Sequence, residues 1–136
     1  MRNVLTAFCV LALVAASGCG LGAVKAYHVT GKVTNGGKSP LPDPKNGLTI
    51  TFMPLDPNAR KVTYTAALGE DNSFEVFAPD GKGIPAGKYK VALMMMAPGA
   101  PMEAKVNDQF SSSKSPIEVD VTGDQFVDID LAKYMK

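Results

Sequence analysis

The fold class predicted for this chain is all-β: two antiparallel sheets packed face to face, preceded by an N-terminal signal helix. Three observations predict it. Apolar residues recur with a period of two in seven separate runs, the spacing that turns one face of a strand to a core and the other to water. Turn formers with definite backbone preferences separate the runs. After residue 18 no stretch carries a sustained helical stripe of apolar residues, so seven short strands are left to close on themselves as a sandwich.

The chain begins with Arg2 and a largely apolar run from Val4 to Ala16 that ends in small residues. This is the layout of an export signal. The run has 13 residues, whereas a hydrocarbon core needs about 20 to be spanned. A secretory segment, residues 1 to 18, fits that length better than a permanent membrane span.

The residues that follow, Ala16-Ser17-Gly18-Cys19, resemble the lipobox of bacterial lipoproteins. The resemblance implies a cut between Gly18 and Cys19, a diacylglyceryl group on the Cys19 thiol and acylation of the new amino terminus. Ala16 stands where leucine is usual. Each buried methylene contributes about 0.8 kcal/mol and one chain binds only marginally, so two or more chains hold such a protein on a membrane. The alternative is a conventional cut near Ala15-Ala16-Ser17, which would release a soluble protein with a spare thiol.

Of the two cysteines, Cys9 leaves with the signal and lipid takes Cys19, so none remains for a disulfide. The 118 residues from Cys19 onward make one domain, large enough to bury about two thirds of its unfolded surface. They carry 13 basic and 13 acidic residues. That balance gives no electrostatic reason to expect nucleic acid or an anionic membrane surface as partner.

Residues 19 to 26 read as a short tether and residues 27 to 136 as the sandwich. In the first strand Tyr27, Val29 and Val33 oppose His28, Thr30, Lys32 and Thr34. The second turns Leu48, Ile50 and Phe52 inward, and the third Val62, Tyr64, Ala66 and Leu68. Phe74 and Val76 mark the fourth, and Tyr89, Val91, Leu93 and Met95 the fifth. Ile117, Val119 and Val121 form the sixth, and Val127, Ile129 and Leu131 the seventh. Turns fall at Asn35-Gly36-Gly37, Pro42 to Gly47, Asp71-Asn72, Asp80-Gly81, Pro85-Ala86-Gly87 and Gly123-Asp124.

These motifs resemble, in order, the carboxypeptidase regulatory-like domains: "VTGKVTNGGKSPLPDPKNGLTITFMPLD", "ALGEDNSFEVFA" and "GIPAGKYKVAL". The resemblance implies a transthyretin-like (prealbumin-like) fold, a seven-stranded antiparallel Greek-key β-sandwich. With a lipobox in front and "SPIEVDVTGDQFVDIDL" behind, the layout is similar to the short exported lipoproteins of planctomycetes. Two departures stand out. Ser39 interrupts the family's Gly-Lys-Pro-Leu turn, and Asp71-Asn72-Ser73 lacks the glycine usual in its acidic turn; asparagine tolerates the left-handed conformation needed there.

No catalytic constellation emerges. The single histidine, His28, falls on the outward face of its strand, and no serine sits in a Gly-x-Ser-x-Gly elbow. The transthyretin-like hydroxyisourate hydrolases end in Tyr-Arg-Gly-Ser, and this chain ends Leu131-Ala132-Lys133-Tyr134-Met135-Lys136. Two metal readings were weighed. Met94, Met95, Met96 and Met102 offer soft thioethers for Cu(I), but alternation turns Met94 and Met96 away from Met95. Glu70-Asp71-Asn72 offers hard oxygens for calcium, but its residues are explained as turn formers. The acids Glu118, Asp120, Asp128 and Asp130 read as solvated strand faces that discourage edge pairing.

The expectation is therefore a non-catalytic lipoprotein of the cell envelope, periplasmic or outer-membrane facing, without a cofactor. It is held by lipid on Cys19 and presents its module to an envelope protein or polysaccharide. Carriage of a small apolar ligand is the alternative, with Cu(I) binding or enzymatic activity ranked after it. Gly20 rather than aspartate after the cysteine points to onward sorting, and the oligomeric state stays open.

Overall fold

The computed structural model describes residues 24–135. The signal peptide of residues 1–18, the lipidation and cleavage positions Gly18 and Cys19, and most of the tether lie outside the described residues. Strands run β1 Ala26–Tyr27, β2 Val29–Thr34, β3 Gly47–Pro54, β4 Tyr64–Ala67, β5 Ser73–Val76, β6 Ile84–Pro85 and β7 Gly87–Met96. A helix, α1 Pro101–Gln109, precedes β8 Glu118–Val121 and β9 Gln125–Asp130, and a 3₁₀ turn, Leu131–Lys133, follows.

Three strands form one sheet in the order β5-β2-β9, and four form another in the order β4-β3-β7-β8. Their inner faces share one core. Val29, Val33, Phe74, Val76 and Ile129 come from the smaller sheet, and Leu48, Ile50, Phe52, Val91 and Met95 from the larger. Phe52 is the hinge of the packing, its ring 6.3 Å from Phe74 across the sheets and 6.1 Å from Tyr89 on its own sheet. The molecule is an all-β sandwich, and each of the seven expected runs lies on or beside an observed strand.

Gly31 shows why the first strand carries a glycine on its inward face. A Cβ there would stand 2.2 Å from the Val127 carbonyl oxygen and 2.4 Å from the Phe74 ring. The ring occupies the space that any other residue would fill, so the glycine is a packing requirement rather than a flexible point.

Four expectations need correction. The pairing is not wholly antiparallel, because β2 and β9 run parallel, from Val29 opposite Gln125 to Thr34 opposite Asp130. The short connection after β8 crosses from one sheet to the other and delivers β9 alongside β2 in the same direction. The first run is also broken at His28, whose N–H donates to Asp124 Oδ1 at 2.8 Å. Tyr27 thus belongs to a separate short ladder, β1 with β6, in which Ala26 faces Pro85 and Tyr27 faces Ile84. The third run begins at Tyr64, leaving Val62 in the preceding loop.

The fourth correction is α1, which the absence of an apolar stripe had hidden. Only Val106 of its residues is buried, too little to generate a periodic signal. Its start is set by Pro101 at the first turn after an extended Ala100, a position where the missing N–H costs nothing. Phe110 closes it, with its N–H donating to Val106 O at 2.9 Å.

The helix segment covers the edge of β7 that β8 does not reach. Strand β8 pairs with Gly87 to Lys90 only. Beyond that, Val91 N–H donates to Ile117 O and Leu93 N–H to Phe110 O, both at 2.9 Å. Asn107 then acts as a strand in miniature: its Oδ1 accepts from Met95 N–H at 2.6 Å and its Nδ2 donates to Met95 O at 2.9 Å. Glu103 Oε1 accepts from Ala97 N–H at 3.1 Å.

Candidate functional site

The site that sequence reasoning places at Cys19 lies outside the described residues, and the structure shows where the chain leaving it arrives. Val24 lines an open cleft of about 270 Å³ together with Arg60, Tyr64, Pro85, Lys88 and Tyr89. The floor is aromatic and rigid. Tyr89 meets Tyr64 edge-on at 6.0 Å, and its hydroxyl donates to Pro85 O at 2.8 Å. Removal from water, followed by the neighbouring Tyr64, pushes the Tyr89 hydroxyl up to about 12, so it stays a neutral donor at physiological pH. Leu55 N–H donates to Lys88 O at 2.9 Å, which ties the loop after β3 to the start of β7.

His28 stands on the outer face of the smaller sheet, its Nδ1 3.5 Å from Glu75 Oε1, with side chains 58% and 43% exposed. Glu75 borders a shallow, open groove of about 500 Å³ with Thr30, Phe77 and Phe126, and His28 does not line it. The same face shows Phe77 and Phe126 to solvent, 44% and 61% exposed.

Of the four methionines of the Cu(I) reading, Met94, Met95 and Met96 border one groove, with Met95 turned the other way. Met95 is buried in the core, whereas Met94 and Met96 are each 60% exposed above an open groove of about 500 Å³ shared with Met53 and Thr51. Met102 lines a different groove with Pro40, Leu41 and Met135, where Asn35 Nδ2 contacts its sulfur at 3.6 Å. Among the described residues no group of three or more His, Cys, Asp and Glu side chains is placed to hold a metal ion.

Asp71 and Asn72 of the calcium reading build the turn before β5. Asp71 Oδ1 accepts from both the N–H and the hydroxyl of Ser73, and these bonds, the hydroxyl first, hold its carboxyl below the ordinary carboxylate range. Asn72 adopts φ 64, the left-handed conformation expected of the residue standing in for glycine. Ser39 Oγ donates to Asn72 Oδ1 at 2.8 Å. This bond joins the loop after β2 to the turn before β5.

Asp130 has a task that alternation alone does not reveal. Its Oδ1 accepts from Gly36 N–H at 2.8 Å and from Ala132 N–H at 3.1 Å, joining the Asn35-Gly36-Gly37 turn to the 3₁₀ turn. The signal available in the sequence was its position just before Leu131-Ala132-Lys133, where aspartate caps a helical turn. Nothing in the sequence announces the pairing of Asn107 with Met95, because it joins a side chain to a strand through the fold. Among the described residues no helix is long and apolar enough to cross a membrane.

No family model matches the chain, and neither a curated protein nor a solved structure does.

Proposed function

We propose that this chain is a non-catalytic lipoprotein, fixed to a cell-envelope membrane by lipid on Cys19, whose sandwich presents its surface to an envelope protein or polysaccharide. The observation that carries this is the succession of Arg2, an apolar run, Ala16-Ser17-Gly18-Cys19 and then, by Ala26, a paired strand of a compact module. A chain that passes so quickly from acylation motif to folded domain has little use for the intervening residues except as attachment.

The finer assignment of the module to the transthyretin-like, Greek-key class belongs to the same proposal. It is supported by the two sheet orders, in which successive strands pass repeatedly from one sheet to the other, and by the bond between Ser39 and Asn72 that repairs both departures from the motif pattern. Contact at the surface is favoured over carriage of a ligand between the sheets because the interior is filled by Phe52 packed against both Phe74 and Tyr89. Loops on a rigid β scaffold are where binding usually resides.

The test is incorporation of labelled palmitate in bacterial cells, with Cys19→Ser alongside. Label on the natural chain and its loss in the variant are expected. Label on neither, together with an unmodified amino terminus by mass spectrometry, overturns the anchor. In vivo crosslinking of the labelled chain should return one reproducible envelope component, and a chain that crosslinks to nothing overturns the contact role.

A further inference from the structure

The balanced charge of the chain conceals an uneven distribution at the corner where Val24 enters the fold. Arg60 and Lys88 line the same cleft as Val24. Lys25, its Nζ 5.3 Å over the Tyr27 ring, follows Val24, and Lys61 follows Arg60 in the chain, so the segments that meet at the cleft carry four basic residues. Two acids stand near them. Asp56 is engaged by its own loop, its Oδ1 accepting from Asn58 N–H at 2.8 Å, and Asp120 is the cross-strand partner of Lys88. Between the cations Val24 and Leu55 present apolar side chains to solvent, 74% and 39% exposed.

The distance to the anchor makes this arrangement consequential. Val24 lies five positions after Cys19, and five fully extended steps span at most about 18 Å. A lipid on Cys19 thus holds this corner at the bilayer surface, within reach of the headgroup layer, where unscreened attraction persists over about 8 to 10 Å.

We infer that this corner docks on an anionic lipid leaflet, with Lys25, Arg60, Lys61 and Lys88 against headgroup phosphates and Val24 and Leu55 at the apolar boundary. The inference rests on the lipid proposed for Cys19 and adds an orientation to it. The bond from Leu55 N–H to Lys88 O keeps the apolar and basic elements on one rigid rim, so the domain stands on the membrane by its β1–β6 end. The Pro42 to Gly47 loop, at the opposite end of β3, points away.

The experiment uses the full chain, exported and purified from cells, with a single environment-sensitive fluorophore attached at Leu55→Cys or, in a second preparation, at Lys45→Cys. Mass spectrometry first reports whether Cys19 carries lipid. Each preparation is placed in vesicles of phosphatidylcholine alone or of phosphatidylcholine with phosphatidylglycerol. The expected result is a blue shift and a gain in emission for the Leu55 probe only in vesicles containing phosphatidylglycerol, reversed by high salt. Both changes should disappear in Arg60→Glu/Lys61→Glu/Lys88→Glu, whose circular dichroism stays that of the parent. Equal emission in both vesicle types with lipid present on Cys19, or a response from the Lys45 probe instead, overturns the docking and leaves the anchor standing. Absence of lipid on Cys19 overturns the anchor and the docking together.

Discussion

The two halves of β7 share one neighbour and differ in the other. On one side the strand pairs with β3 from Tyr89, opposite Pro54, to Met96, opposite Gly47. On the far side, Gly87 to Lys90 meet an ordinary antiparallel strand, whereas Val91 to Ala97 meet a carbonyl at Ile117, another at Phe110, the amide of Asn107 and the carboxylate of Glu103. Each solution satisfies the same backbone groups. The first does so with a regular strand, which any sequence of suitable alternation supplies, and the second with two carbonyls from outside any strand and two particular side chains. A sheet edge can therefore be closed without a strand, provided that individual residues bring donors and acceptors to the right spots.

The largest effect should come from removing the packing under the second half. Phe110 is fully buried and meets Tyr134 edge-on at 6.2 Å. Phe110→Ala is expected to cost about 3–5 kcal/mol of unfolding free energy in urea, more than Val121→Ala in the strand-paired half. If the two variants lost equal stability, the helix segment would be an accessory and not an edge.

A middle-sized effect should separate the two kinds of bonding. Asn107→Ala leaves both the N–H and the carbonyl of Met95 without their partner, at an expected cost of about 1–3 kcal/mol. Hydrogen exchange should quicken at the Met95 amide and remain unchanged at Lys88 and Lys90. Uniform quickening along β7 would mean that its two halves open as one unit.

The smallest effect lies in the strand-paired half, at Tyr89. Loss of the bond to Pro85 O in Tyr89→Phe should cost about 0.5–1.5 kcal/mol near neutral pH. The pH dependence is the more telling measurement. Because the folded chain holds this proton up to about 12 while the unfolded one releases it near 10.0, stability is fully present below pH 10 and declines as pH rises toward 12. The difference between parent and variant should shrink across that interval, and a constant difference would show that the hydroxyl is not sequestered in the fold.

The same contrast explains what could be read from the sequence. Strands with one buried face carry their own signature, so the residues of β2, β3, β7 and β9 that face the core were legible from alternation alone, as was the positive φ at Asn72. What escaped was structure held by side chains at a distance. Helix α1 buries Val106 and no other residue of its span, and the Asn107–Met95 pair is twelve positions apart in a segment rich in Pro and Gly. The parallel β2–β9 pairing depends on how the β8–β9 connection crosses between sheets, which local pattern does not encode. At the candidate site Cys19 lies outside the described residues, and the convergence of Arg60 and Lys88 on Val24 required the fold.

Gln109 Nε2 donates to Tyr134 O at 2.6 Å across 25 positions of the chain, and the Phe110 and Tyr134 rings meet beside it. Synthesis runs from the amino end, so α1 leaves the ribosome well before the residue that latches it. Throughout that delay the second half of β7 offers an unfinished border to any neighbouring polypeptide. A chaperone that shields nascent chains would have its clearest task in that interval, and its work would end when Tyr134 arrives.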